Sequence, residues 1–367
     1  MPPAPAPETV TVPVAALRDF VAAIFAAAGC ASDEAQRIGR YLVSANLAGH
    51  DSHGVIRVPR YIIWLQDGAV RAGQSLTVLR ETTSHAVVDG NFGFGQTIGP
   101  LAVDLGIEKA KASGLAVIAL SHAGHLGRIG DWGERAAEAG LVSLHFVNVA
   151  GGELVAPWGG VERRFSTNPV CITAPRPGHE PLVLDFATSR VAEGKVLVAS
   201  QGGKKVPADA LIGPDGTVSD DPRLLYGEIA GSHVRDATKG AGALRTFGEH
   251  KGSGLAFMCE ILAGCLTGGG PSGPVAPGPR RIANGMFSLY VDPGNFAGAG
   301  FAASVEDYAA YVKSSRPAIP GAEVLLPGEP ESRTRADRLA HGIPLQRETW
   351  AAITATARQL GVSPPAG

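Results

Sequence analysis

From about residue 76 the chain changes its period. "SLTVL", "AVVDG", "LAVIAL", "LVSLHFVNV", "PVCITA" and "LVLDF" are short runs rich in β-branched and aliphatic side chains, and helical spacing takes over at 97–113, 126–139 and 189–201. Runs of this length suit strands, and strands interleaved with helices define an α/β region. It continues through a helix, "HKGSGLAFMCEILAGCL", the Gly/Pro loop "GGGPSGPVAPGPRR" and a strand, "GMFSLYV".

Both ends of the chain read as helical instead. Residues 14–28 and 32–47 carry helical spacing, the second opened by Ser32 with Asp33 and Glu34 in its first turn and closed by Gly49. "PRYIIWLQD" predicts a third helix, with Pro59 at its first position and Gly68 at its end. "SVEDYAAYVKSS", "PESRTRADRLA" and "RETWAAITATARQLG" predict three more. Neither set alone makes a convincing core, so the two ends are expected to pack together. The expected fold class is α/β, with a helical domain built from residues 1–75 and 304–367 and an α/β domain at 76–303.

Composition narrows the function classes. A formal net charge of −2 with scattered Lys and Arg provides no basic stripe, which argues against a nucleic-acid partner. Cys30, Cys171, Cys259 and Cys265 have neither CxxC nor framework spacing and read as reduced, mostly buried thiols. "MPPAPAPE" lacks the basic and apolar regions of an export signal, and "GLAFMCEILAGCL" is short and carries Glu260. No membrane association is expected, and a cytoplasmic location is.

Three familiar chemistries fit poorly. Gly93, Gly95 and Gly99 follow a strand and precede a helix, but they make GxGxxxG, not the GxGxxG dinucleotide fingerprint. The next strand ends in Ser121 and His122, with no acid for a ribose hydroxyl. His50 with His53, and His122 with His125, form two HxxH pairs, yet no cysteine lies nearby and no HExxH exists, so no metal is expected. Ser52, His53 and Asp185 are the residue types of a serine hydrolase, but GxSxG is absent. Adjacent residues project differently, so Ser52 and His53 are not expected to pair.

A better fit is a group of ionisable side chains around a small anionic substrate, centred on "HDSHGVIRVPRY". Arg57 follows His53 by four residues and shares its face if the segment is helical. Its guanidinium could then hold a carboxylate while the imidazole addresses the neighbouring carbon.

"GHDSHGVIRVPRY", "GHLGRIGDWGE", "PWGG…STNP", "LVLDFATSRVAEGK", "FGEHKGSGLA" and "LLPGEPE" occur in order between about residues 10 and 362. Together they resemble the malate/L-lactate dehydrogenase family of NAD(P)-dependent oxidoreductases, which includes ureidoglycolate and sulfolactate dehydrogenases, diketogulonate reductase and an imine reductase. "LDFATSRVAEGK" with "FGEHKGSGLAFMCEILAGCLTGG" looks most like the hydroxycarboxylate dehydrogenase branch.

The resemblance implies a non-Rossmann NAD(P)-binding fold, a homodimer with its active site near the interface, and hydride exchange with C2 of a 2-hydroxy or 2-oxo acid. Histidine suits proton transfer near neutrality. By resemblance His53 is proton donor, with His125 a second catalytic group or nicotinamide contact; Asp185 with Ser52 resembles a relay that orients the imidazolium. Asp185 could also simply cap the helix expected from Ser189. "HKGSG" puts His250, Lys251 and Gly252 at a helix N-terminus suited to pyrophosphate. Through resemblance alone, His125, Leu126, Gly127, Thr167, Asn168, Leu184, Asp185, Phe186, Pro327, Gly328 and Glu329 join the cofactor positions. "LYGEIAGSHVRDATKGAGALRTFGEH" is longer than in many relatives, a departure between about 222 and 245.

Overall fold

A computed structural model describes residues 9–200, 205–228, 235–273 and 283–365. The chain opens with β1 (Thr9–Val12), α1 (Val14–Ala27), α2 (Ser32–Leu47) and α3 (Val58–Gln66). The middle holds β2 (Thr77–Glu81), β3 (His85–Asp89), α4 (Gly95–Ser113), β4 (Leu115–Ala123), α5 (Gly130–Glu138), β5 (Val142–Ala150), β6 (Pro169–Ala174) and β7 (Leu182–Ala187). Then come α6 (Glu193–Ser200), β8 (Leu211–Ile212), β9 (Val218–Ser219), α7 (Arg223–Tyr226), β10 (Ala243–Leu244) and α8 (His250–Cys259), which a π-helical turn, Glu260–Cys265, extends. The chain closes with β11 (Ala283–Val291), α9 (Gly300–Lys313), α10 (Glu329–His341), β12 (Ile343–Gln346) and α11 (Arg347–Gln359).

The central sheet runs β2-β3-β4-β11-β5-β6-β7, and only the β3–β4 pair is parallel. It is therefore not a doubly wound sheet, and no Rossmann crevice arises. The glycines of the expected fingerprint region have another use. A Cβ on Gly99 would lie 2.7 Å from the Trp132 ring, one on Gly95 2.6 Å from Leu126 Cα, and one on Gly93 2.9 Å from Ile98. They let α4 dock against α5 and the loop before it, and that end of α4 is buried.

The described residues form three apolar clusters. Phe20, Ile24 and Phe25 of α1, Ile38 and Leu42 of α2 and Tyr61 of α3 pack with Ile343 and Leu345 of β12 and Ile353 of α11. The two chain ends also join backbones where β1 pairs antiparallel with β12. Val88, Ile118, Leu120, Met286 and Tyr290 of the sheet pack with Ile98, Val103 and Trp132 of α4 and α5. Val155, Phe165, Val191, Val196, Leu211, Leu225 and Leu244 form a third cluster around the small sheet β10-β8-β9.

Local details depart from the sequence pattern in three places. Ala31, not Ser32, is the N-cap of α2, and Ser32 is already helical. The helix expected from 189 begins at Glu193, because Arg190 N donates to Arg245 O and Ser189 bridges to Thr246, holding that backbone extended. The helix expected from 126 begins at Gly130. α9 carries one buried residue, Ala309, and is tied down by Arg176–Glu306 and Lys313–Glu329 ion pairs.

Candidate active site

The "HDSHG" stretch is two short 3₁₀ turns, Asp51–His53 and Val55–Arg57, separated by Gly54 in an extended conformation. Asn46 of α2 knits them together: its Oδ1 accepts from Val55 N at 2.8 Å and its Nδ2 donates to Asp51 at 2.6 Å. A side chain at Gly54 would overlap the Asn46 amide. Arg338 of α10 adds donors to Asp51 and to the Asn46 carbonyl. The break at Gly54 means that His53 and Arg57 do not share a helical face as expected.

Within the first turn Ser52 Oγ lies 3.0 Å from His53 Nδ1. This corrects the expectation that neighbouring side chains diverge, since the tight turn curls the serine back onto the ring. His53 stacks on His125, centroids 5.5 Å apart and planes within 7°. His125 Nδ1 is 2.6 Å from Tyr61 OH, and Gln96 Nε2 donates to that hydroxyl at 3.3 Å. The ring thus meets Tyr61 through Nδ1, and its Nε2 makes no hydrogen bond among the described residues. Burial, then repulsion from His125 and from the Arg57 charge, holds His53 well below the ordinary histidine value. Burial and Arg57 push His125 down to about 3. Burial also pushes Tyr61 up to about 12, so the phenol keeps its proton.

Arg57 is engaged on one side. Its Nε donates to the Ser52 carbonyl at 2.6 Å and its Nη2 to Glu193 at 3.0 Å. Glu193 opens α6, which abuts the histidine turn so closely that a Cβ on Gly194 would lie 2.9 Å from Ser52 Cα. The other Glu193 oxygen accepts from Tyr226 OH at 2.6 Å. Tyr61, Glu193 and Tyr226 had no role in the sequence reading. Tyr61 and Glu193 were in view, inside "GHDSHGVIRVPRY" and "AEGK", but nothing local tells which partner each reaches.

Asp185 stands apart from the expected relay. Its Oδ2 accepts from Gly130 N at 2.7 Å, and among the described residues no hydrogen bond joins it to Ser52 or His53. It caps α5, not the helix that follows it in sequence. Beside it, fully buried Arg128 is answered by Asp131 at 3.0 Å and Glu134 at 2.8 Å. Leu126 is pinned through its N–H to Asn284 at 2.8 Å, and Gly127 takes φ of +74°.

The other expected cofactor positions gather along β7 and its flanks. Thr188 N donates to Thr167 O, Phe186 packs edge-on against Phe247, and Phe247 N donates to Thr188 O. A Cβ on Gly252 would lie 2.9 Å from that same Thr188 carbonyl, so α8 begins against the end of β7. Pro327 O accepts from Val183 N, and Gly328, at φ +92°, lets the chain pass over β7. Glu329 is held by Lys313 and by Leu326 N. His250 packs on exposed Trp158, and Leu184 is exposed on the strand.

This surface suits a dinucleotide. The first turn of α8 is closed by backbone bonds, Lys251 N donating to Gly248 O and Gly252 N to Phe247 O, and the Lys251 side chain beside it is exposed and makes no ion pair among the described residues. Asn168, at φ +32°, donates its Nδ2 to Glu260 at 2.7 Å while its buried Oδ1 has no partner among the described residues. An unmatched buried acceptor fits a ligand amide. The HxxH pairs diverge instead of converging: His50 turns to Glu331 and His122 to Asp89. Among the described residues no cluster of three metal-binding side chains forms.

Proteins similar to this chain include several dehydrogenases. Hydroxycarboxylate dehydrogenase B of Escherichia coli (strain K12) is 40% identical over 348 residues, covering 94% of this chain and 93% of the relative. L-lactate dehydrogenase of Cupriavidus necator is 35% identical, covering 95% and 97%. The solved structure of malate dehydrogenase from Pyrococcus horikoshii OT3 matches with a TM-score of 0.85 at 29% identity, covering 97% of each chain. The fold, with its paired histidines, thus belongs to an oxidoreductase enzyme of the dehydrogenase class. The malate/L-lactate dehydrogenase family model matches residues 12–354, and the chain belongs to that family.

Proposed function

We propose that the protein transfers a hydride between a nicotinamide dinucleotide and C2 of a small 2-hydroxy or 2-oxo acid, with His53, His125 and Arg57 at the reacting centre. The observation that carries this reading is the parallel pair of half-buried imidazoles, 5.5 Å apart, with a guanidinium turned to the same turn of chain. When bound, the nicotinamide supplies or takes up the hydride.

The chain's own residues handle the proton and the orientation. His53, steadied by Ser52 at 3.0 Å, takes the proton from the 2-hydroxyl or returns it to the 2-oxo oxygen. His125, oriented by Tyr61, presents its Nε2 proton to that oxygen and stabilises charge as it forms. Arg57 holds the C1 carboxylate through the donors it has left. Asp185 supports the site at one remove, by fixing the start of α5 beside Arg128. The Lys251 ammonium at the start of α8 receives the pyrophosphate, with His250 and Gly252 shaping that turn. Leu184, Phe186, Thr167, Asn168, Leu126, Gly127 and Pro327–Glu329 line the rest of the dinucleotide path.

Both chain ends form one helical unit beside the α/β unit, and two copies form a cytoplasmic homodimer. Among the described residues no helix is long and apolar enough to cross a membrane.

The test is a panel of pyruvate, oxaloacetate, phenylpyruvate and ureido-oxoacetate with NADH and NADPH, followed by nicotinamide absorbance. Turnover of at least one acid with one dinucleotide is expected. His53→Asn should lower it by about 10²–10⁴-fold with dinucleotide affinity retained. A loss below about tenfold, with His125→Asn far worse, exchanges the roles of the two histidines.

A further inference from the structure

We propose that Glu193, held by Tyr226, is a specificity-determining residue that fits the site to 2-hydroxy acids bearing a single negative charge. This rests on the reading above, in which Arg57 receives the C1 carboxylate. Both Glu193 oxygens are occupied, one by Arg57 at 3.0 Å and the other by Tyr226 at 2.6 Å, so the carboxylate cannot swing away. Glu193 cannot retreat with its helix either, because Gly194 is seated on Ser52.

A charge count follows from these contacts. A guanidinium has five N–H donors. Ser52 O takes the one on Nε and Glu193 takes one on Nη2, so the outward donors of Arg57 still accept one carboxylate. Its positive charge, however, is already answered by Glu193 at side-chain exposures of 17% and 16%, where water screens little. Arg128 is answered by Asp131 and Glu134, and burial keeps both imidazoles neutral. A second carboxylate brought beside Glu193 would find no unanswered cation among Arg57, Arg128 and the two imidazoles, and Arg235, whose charge acts on Tyr226, is the cation outside that group it would have to reach. Like charges brought together in such a place are strongly disfavoured. Tyr226, which fixes Glu193, comes from α7, 33 residues further along the chain.

The experiment compares racemic 2-hydroxy-4-methylpentanoate with racemic malate, since the isopropyl end of the first has the shape of malate's second carboxylate without its charge. Both are oxidised by wild type, Glu193→Gln and Tyr226→Phe, followed by dinucleotide reduction. Wild type is expected to favour the monoacid in kcat/KM by at least about tenfold. Glu193→Gln should shrink that ratio by about tenfold or more, chiefly through a lower KM for malate, while the dinucleotide KM moves little. Tyr226→Phe keeps the carboxylate but removes one of its two anchors, so the preference should weaken, by less than in Glu193→Gln. An unchanged ratio in folded Glu193→Gln overturns the proposal. So does a wild type that prefers malate, an outcome that points to Arg235, whose charge also acts on Tyr226. If Glu193→Gln does not fold, the 4-methyl ester of malate decides: wild type must use it at least about tenfold better than malate, and equal use overturns the proposal. Turnover of no acid with either dinucleotide overturns the underlying hydride-transfer reading, a result distinct from an unchanged ratio.

Discussion

The stacked histidines make a sharp demand on pH dependence. Burial, mutual repulsion and the Arg57 charge all disfavour the imidazolium forms. His53, the proposed proton carrier, lies well below the ordinary histidine value of about 6.5, so at pH 7 it is neutral in nearly every molecule. The free enzyme therefore holds a neutral base ready for hydroxy-acid oxidation, and only a trace of the acid needed for oxo-acid reduction. Because kcat/KM reports the free enzyme, the two directions should differ. Oxidation should be level from about pH 6 to 8, while reduction should fall about tenfold per pH unit over the same range. The assay is steady-state kcat/KM in both directions, at constant ionic strength, with one 2-hydroxy/2-oxo pair. A reduction profile that levels off below a midpoint near about 6.5, or oxidation that fades on the acid side of it, would refute the reasoning. Either would mean that a catalytic histidine titrates like one in water.

Other perturbations separate the parts of the site. Arg57→Lys keeps the charge but loses the planar fork and its bonds to Ser52 and Glu193, so kcat/KM for the acid should drop at least about tenfold while dinucleotide affinity holds. Comparison with an ester of the same acid checks it, because selectivity for the free carboxylate should shrink. Lys251→Ala should raise the dinucleotide KM more than the acid KM, by roughly fivefold for a contact worth about 1 kcal/mol. Gly194→Ala pushes a methyl group against Ser52, at a stability cost of about 1–3 kcal/mol by overpacking, visible as a lower Tm together with a lower kcat.

How much of this was legible in the sequence varies with how local the cause is. The strands from β3 to β6 and the helix at 32–47 follow from local pattern, because each buries at least one face or stripe, whereas β2 is exposed throughout and shows only in its β-branched run. The place of β11 does not: it sits between β4 and β5 although more than a hundred residues separate it from either, and no local pattern encodes that pairing. The β8–β10 sheet has two-residue strands, too short to carry any period. The site divides the same way. Histidines and Arg57 were visible as residue types crowded into one stretch. The partner of Arg57 lies 136 residues away and that of His125 64 residues away, so Glu193 and Tyr61 gained roles only in three dimensions. Asp185 reads by resemblance as a relay with Ser52, or else as a cap on the helix after it, whereas its carboxylate meets the N-terminus of α5, 55 residues earlier.

The most direct measurement follows a deuterium label. The reduced nicotinamide is deuterated at both C4 positions, and the 2-hydroxy acid formed from a 2-oxo acid by this protein is analysed by mass and by proton resonance. One deuterium bound at C2 of the product, with none passed to water, is the expected result. Product carrying only hydrogen at C2 would contradict hydride transfer at this site.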